Sequence, residues 1–361
     1  MPKLIATSPL LDHELSELRL LIERQTGIIL DCPNSALAAH VNEYLESQEL
    51  ASASTLLERL RTSDQDFATF SSLLDGLINT KSGFFRHHGA LNALSKQVVP
   101  QLCTRKSSDA ISPLRIWDAG CATGEETYSI AIAVCDALSQ ANAPGSNTNG
   151  KSSLRNNGGI ADSASAIAAG CGSALSVHIV GSDLLPRNIE IADRGVYPQS
   201  ALNGLPPATI RNYFSRISSP INSAEPNPSE VADDAERGEN QNRRSSRNGA
   251  SNGASPVANS AHLLVKPRLR SLVTFNCMNL ARPGYIGRFD CIFCMDVLPH
   301  FSRAQRIALV ERLHLYLEPG GYLFLSQTEK LLAPNLNFRS ETSDGYTYHR
   351  KPMAASAAYG R

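Results

Sequence analysis

Gly120, Gly124 and the acidic pair Glu125 and Glu126 follow an apolar run of Leu114, Ile116 and Trp117 in the stretch LRIWDAGCATGEETYSIAIAV. Small residues at such a turn let the main chain approach a ligand, and carboxylates beside it suit an ammonium or a diol. Ile130, Ala131, Val134 and Cys135 then recur at helical spacing. The stretch therefore reads as strand, turn and helix, the way an α/β sheet presents a nucleotide-type cofactor at the end of its first strand. Another acid, Asp183, closes the run Val177 to Val180, Gly181, Ser182. In dinucleotide folds an acid there binds a ribose diol, about twenty residues beyond the turn. Here 63 positions separate Asp183 from Gly120, and an insertion of roughly 35 residues accounts for the excess.

These groups need a scaffold, and two patterns supply one. Leu11, Leu15, Leu18 and Ile22 form one helical stripe that breaks at Thr26-Gly27, and further helices are expected over Asn34 to Leu45, Ala53 to Leu60 and Phe67 to Leu77. Together they predict a small all-α domain over residues 1–78. From Leu114 onward strands alternate with helices, which predicts an α/β domain over 79–353 with a mostly parallel sheet covered on both faces. Strands are expected at Arg270 to Phe275, Phe289 to Cys294 and Tyr322 to Leu325, the last entered through Pro319-Gly320-Gly321. Helices are expected over Leu185 to Arg194 and, capped by Ser302, over Arg303 to Leu317. Ser139 to about Ser173 and Ser218 to about Ala261 are too rich in Ser, Asn, Gly and charge to bury a core, and read as disordered insertions in surface loops. Residues 354–361 read as a tail.

Bulk properties narrow the partners. Lys plus Arg and Asp plus Glu both number 34, so no field for nucleic acid arises. The apolar runs are too short to span a bilayer, and the N-terminus turns acidic before a signal-peptide core can form, which makes a cytoplasmic protein with no membrane insertion the expectation. The eight cysteines show no metal-like double pair. Cys291 and Cys294 lie three apart in a strand, on opposite faces, and read as core thiols, so no metal is expected.

Five ordered blocks resemble one family, the CheR-type chemotaxis receptor methyltransferases: TKSGFFRH from Thr80, RIWDAGCATGEETYSIAIA from Arg115, SDLLPRNIEIADRGVYP from Ser182, FDCIFCMDVLPHF from Phe289 and LEPGGYLFLSQTEKL from Leu317. The resemblance runs from about residue 14 to 351 outside the insertions. It implies a Rossmann-like S-adenosylmethionine methyltransferase sheet, a small β-subdomain at about 205–275, and methyl transfer to glutamate carboxylates of a chemoreceptor-like membrane protein. By position it implies cofactor contacts from Thr80, Ser82, Arg86, Gly120, Glu125, Asp183, Asn279, Leu280, Asp296 and Val297, with Glu125 on the methionine amino group, Asp183 on the ribose and Asn279 and Leu280 at the adenine. Arg86 and His300 fall at the positions of the family's active-site arginine and of a tyrosine near the methyl group.

The chain departs from the family pattern close to that chemistry. Thr80 stands for Asn, Ser82 for Thr, Met295 for Arg, Asp296 for Asn, Pro299 for Ile and His300 for Tyr. The second helix, NSALAAHVNEYLESQEL, carries none of the family's basic residues. Two other readings follow: a signalling module that binds S-adenosylmethionine or S-adenosylhomocysteine without transferring the methyl group, and a methyltransferase of a different substrate.

Overall fold

A computed structural model of the chain describes residues 10–62, 67–78, 82–106, 113–141, 176–217, 262–284, 286–332 and 335–353. The second insertion lies outside the described residues, as does the first from residue 142 onward. Ser139 to Ala141 are helical, because the helix after the Gly turn continues through them. The strands are β1 (Leu114–Ala119), β2 (Val177–Asp183), β3 (Val196–Pro198), β4 (Phe214–Ile217), β5 (His262–Val265), β6 (Val273–Cys277), β7 (Phe289–Cys294), β8 (Leu317–Leu325), β9 (Arg339–Ser343) and β10 (Tyr346–Arg350).

Seven of them form one sheet of order β6-β2-β1-β7-β8-β10-β9. The pairs β1–β2, β2–β6, β1–β7 and β7–β8 are parallel, and β9 and β10 add an antiparallel hairpin at the edge. Chain order runs outward on both sides of β1, so a topological switch point lies between β1 and β7, where open α/β sheets bind ligands. This is a Rossmann-like sheet. The shorter β3, β5 and β4 form a three-stranded sheet, and residues Tyr197–Leu264 make a separate compact unit.

β7 is buried along its whole length, including Asp290. Burying a charge requires partners, and the Asp290 carboxylate has Arg105 at 3.2 Å, Lys106 at 2.9 Å and the Arg115 amide at 2.9 Å. It sits at the start of the strand, at the end remote from the switch point, so its role is structural. Two strand expectations shift. β6 begins at Val273 instead of Arg270, because Pro267–Arg270 closes a helical turn in which the Ser271 amide donates to the Pro267 carbonyl at 2.9 Å. β8 begins at Leu317, before the Pro-Gly-Gly segment, and its register against β7 slips between Phe289 and Cys291, so the glycines form a bulge within the strand.

The N-terminal helices are α1 (Asp12–Thr26), α2 (Asn34–Ser47), α3 (Ala53–Thr62) and α4 (Phe67–Leu74). Leu15, Leu18 and Ile22 are buried as their spacing implies, but Leu11 is 54% exposed. It precedes the helix in extended geometry, and its amide is capped by the Glu14 carboxylate at 3.0 Å. Leu15, Leu37, Leu56 and Leu73 share one hydrophobic cluster with Trp117, Ile292 and Leu323 of the sheet. The helices and the seven-stranded sheet thus belong to the same compact unit. α1 stops at Gly27, in left-handed geometry at φ 75°. A Cβ there would lie 2.7 Å from the Ala281 Cβ and 2.9 Å from the Phe301 ring, so glycine both ends the helix and lets the chain approach the sheet.

Gly27→Ala should therefore destabilise the fold by about 1–3 kcal/mol. Denaturant unfolding measures this; a change smaller than the uncertainty of the titration would mean that neither the conformation nor the contact is demanding.

Candidate functional site

The C-terminal ends of β1, β2 and β7 enclose a cavity of about 230 Å³. Four chain segments at the sheet edge build its walls: Gly120 to Ala122, Asp183 to Leu185, Met278 to Leu280 and Met295 to Val297. Ile78, Ser82, Gly83, Arg86 and His87 close one side, with Thr26 and Ile28 at the end of α1, and Glu126, His300 and Phe301 complete the lining. Of the residues expected from sequence, Ser82, Arg86, Gly120, Asp183, Asn279, Leu280, Asp296, Val297 and His300 lie on this wall. Thr80 lies outside the described residues.

Gly120 has φ 99°, and a Cβ there would come 2.4 Å from the Val297 Cγ2, so β1 and the turn after β7 meet only across a glycine. Asp183 ties the cavity floor together. One carboxylate oxygen accepts the Ala122 amide at 3.0 Å, and the other accepts the Leu185 amide at 2.9 Å and the Asn188 side chain at 3.0 Å. Burial raises its pKa, and these donors oppose the rise. Asn279 is likewise engaged: its amide nitrogen donates to the Gln25 carbonyl at 2.8 Å and its oxygen accepts the Ala281 amide at 2.9 Å. The Leu280 carbonyl accepts from Arg312. The His300 carbonyl takes the Ile29 amide at 2.8 Å, which ties the short helical turn Leu298–His300 to the N-terminal segment.

Glu125 opens the helix Glu125–Ala141, α7 in sequence after α5 (His88–Ala93) and α6 (Val99–Lys106). Its carboxylate accepts the Ser82 and Thr123 hydroxyls, each at 2.6 Å, and it is not among the cavity-lining residues. The next residue, Glu126, lines the cavity instead and reaches His87 at 3.5 Å. The sequence shows Glu126 as one of the acidic pair, but the resemblance assigns the cofactor contact to Glu125: neighbouring helical residues differ by about 100° in direction, and the helix start fixes which one faces in. His87 follows Arg86 in the TKSGFFRH segment with no local pattern that marks it, and nothing in the sequence marks Thr26 or Ile28 as cavity residues.

Charges converge here. Arg86 forms an ion pair with Asp296 at 2.8 Å, and His87 approaches the same carboxylate at 3.4 Å. Burial lowers the His87 pKa, Asp296 opposing and Arg86 reinforcing the shift. Behind the turn, Asp118 is fully buried; one oxygen accepts the Thr127 hydroxyl at 2.6 Å, and Glu126 is its other polar neighbour. Burial pushes its pKa up to about 7, partly offset by its hydrogen bonds. Burial also raises Glu126 well above the usual carboxylate range, and the neighbouring Asp118 adds to that. Arg86 pulls the other way.

The parallel sheet with its switch-point cavity defines a Rossmann-like α/β domain. The family description "CheR methyltransferase, SAM binding domain" matches residues 80–146 and 253–347. The chain is 27% identical over 323 residues to a chemotaxis protein methyltransferase of Pseudomonas aeruginosa, covering 89% of this chain and 90% of that one. A second chemotaxis protein methyltransferase, from Pseudomonas putida, is 23% identical over 342 residues, covering 94% and 98%. A probable chemotaxis protein methyltransferase of Rhizobium etli is 25% identical over 313 residues, covering 86% and 90%. Over these segments the chain is similar to CheR-type methyltransferases.

The buried acid makes one outcome calculable in sign. With its folded pKa raised from 3.8 to about 7, Asp118 keeps a proton that the unfolded chain releases. Its contribution to stability is therefore lost as pH rises from about 4 through about 7. Asp118→Asn removes that loss, so thermal melts should show the variant gaining on wild type between pH 5.5 and pH 8.5; a gap that does not widen refutes the buried, proton-holding state.

Proposed function

We propose that this protein binds S-adenosylmethionine in the switch-point cavity and transfers its methyl group to glutamate carboxylates on the cytoplasmic part of a chemoreceptor-like protein. The observation that carries the reading is the convergence of the family-matched segments on one cavity, with Arg86 at its edge. The residues suit such a cofactor. Asp183 has carboxylate lone pairs for a diol beside apolar Met278 and Leu280 for a flat base, and the cluster of acids favours a ligand bearing positive charge. Glu125 remains a candidate for the amino group, through a carboxylate that two hydroxyls already orient.

Bound S-adenosylmethionine supplies an electrophilic methyl on a cationic sulfur. The nucleophile needs no general base, since a free glutamate with pKa near ~4.3 is ionised at neutral pH. The chain's contribution is then to align the carboxylate and exclude water. Arg86 is the group that meets it, as a planar double donor. Asp296 opposes this task, because the approaching carboxylate must compete with it for Arg86. That same ion pair favours a second reading, a module that binds the cofactor or S-adenosylhomocysteine in signalling without efficient transfer.

Calorimetry with S-adenosylmethionine and S-adenosylhomocysteine tests the binding half. Absence of binding by the wild type defeats both readings, and Asp183→Ala should weaken affinity about tenfold or more, because it removes a charged acceptor and leaves the Ala122 and Leu185 amides without their partner.

Labelled-methyl transfer to receptor-containing membranes then separates enzyme from module. Asp296→Asn sharpens that assay. Asn tolerates the left-handed geometry that Asp296 holds at φ 58°, so the substitution releases Arg86 at little backbone cost. Transfer should rise roughly two- to tenfold, a change expected for removing one like charge near a partly exposed site. A fall in transfer with cofactor affinity unchanged would count against the competition.

A further inference from the structure

Three non-glycine residues around the cavity hold left-handed backbone: Phe85 at φ 55°, Ala122 at φ 46° and Asp296 at φ 58°. Each has its amide held by a side chain from elsewhere in the chain. Phe85 donates to the Ser129 hydroxyl at 2.9 Å, Ala122 to Asp183 at 3.0 Å and Asp296 to Glu329 at 3.3 Å. The Glu329 contact is the most elaborate. One oxygen also accepts the Ser326 amide at 2.8 Å, and the other accepts the Leu298 amide at 3.0 Å. A carboxylate that follows β8 thus gathers three main-chain donors from two strand ends, while not itself being among the cavity-lining residues.

We propose that Glu329 is a positioning residue of the cofactor cavity, holding the turn after β7 so that Asp296 meets Arg86 and Val297 seats against Gly120. The donor count requires a carboxylate. Two ionised oxygens offer about four lone pairs, enough for three amides, whereas glutamine offers one oxygen and turns an amide group toward the remaining donors. A buried amide without its acceptor is costly, and left-handed backbone at a non-glycine residue persists only where surrounding bonds determine it. With Glu329 altered, the turn relaxes. Asp296 leaves Arg86, and Val297 leaves the contact that makes glycine necessary at position 120.

Ionisation matters as well. Burial and the Asp296 charge raise the Glu329 pKa to about 7, against the pull of its amide donors. The other titratable groups that interact with it are Cys294 on β7 and Tyr346 on β10, both raised above their ordinary ranges by burial and neutral near pH 7. A proton on Glu329 converts an acceptor into a donor facing other donors, so the turn is held tightly above about pH 7 and loosens below it.

Hydrogen exchange and calorimetry test this on the full chain. In Glu329→Gln, exchange at the Asp296 and Leu298 amides should accelerate at pH 8 while the β1 amides keep their protection. Affinity for S-adenosylmethionine should fall about tenfold or more, and Glu329→Asp should recover part of it. Affinity of the glutamine variant within twofold of wild type overturns the role. Should that variant not fold, wild-type exchange decides: protection of Asp296 and Leu298 that, corrected for intrinsic rates, does not fall between pH 8 and pH 6 overturns it too. The inference rests on the cavity being the cofactor site. Loss of that reading would show as no binding by wild type, whereas the exchange result stands without cofactor.

Discussion

The cavity depends on main-chain amides held in place by side-chain acceptors that reach in from other parts of the chain. Helix and sheet ladders use up the donors within elements, and after β1 the Gly120 and Cys121 amides still share the Ser182 carbonyl, but the Ala122, Asp296 and Leu298 amides turn to side chains. Asp183 supplies the Ala122 amide with an acceptor, Glu329 supplies the Asp296 and Leu298 amides, and Ser129 supplies Phe85. Without them, left-handed geometry at three non-glycine residues would carry about 1–3 kcal/mol of strain each with nothing to oppose its relaxation. Where Gly120 faces Val297, even a methyl group has no room. The wall is therefore over-determined, which a cofactor site needs if binding is not to be spent on ordering the protein.

The same acceptors make the site acidic. Asp118, Glu126, Asp183 and Glu329 are all shifted upward by burial, and Arg86 is the cation set among them. Unpaired buried charge is expensive, and the upward shifts of Asp118 and Glu126 toward their protonated forms are its consequence. A cationic ligand shifts that balance, since in a poorly solvated pocket it favours the ionised form of the acids that line the cavity, Glu126, Asp183 and Asp296. The electrostatics thus favour a positively charged ligand over a neutral one of the same shape.

Much of this was legible in the sequence, and for identifiable reasons. The β1-turn-α7 unit was readable because its apolar periods change from strand to helix across two glycines. Asp183 was readable because it ends a strand, even with an insertion separating it from Gly120. Gly27 was readable only as a helix stop; its close approach to Ala281 and Phe301 depends on tertiary packing. The choice between Glu125 and Glu126 turned on helical phase at the first turn, where element boundaries read from sequence are least certain. Asp296 was legible as an extra negative charge, whereas its pairing with Arg86 joins residues more than two hundred positions apart that no local pattern connects. Glu329 sits in a block that was recognised as a whole, yet nothing local says that its carboxylate points to the end of the neighbouring strand.

The N-terminal helices have a role that does not depend on the missing basic residues. α2 buries Leu37, Val41, Tyr44 and Leu45, so its sequence is explained by packing. The contribution to the cavity comes from the end of α1. The Gln25 carbonyl accepts from Asn279, its side chain accepts from Arg282, the Ile29 amide donates to the His300 carbonyl, and Thr26 and Ile28 line the wall. Asn279 thus has its side-chain nitrogen committed to α1 and its oxygen to Ala281, which leaves a ligand edge at this position to be met by main chain and by Leu280. The helical segment is on this account part of the cavity wall through the end of α1, and substitutions on the exposed face of α2 can occur without disturbing it, because α2 contributes none of the lining residues.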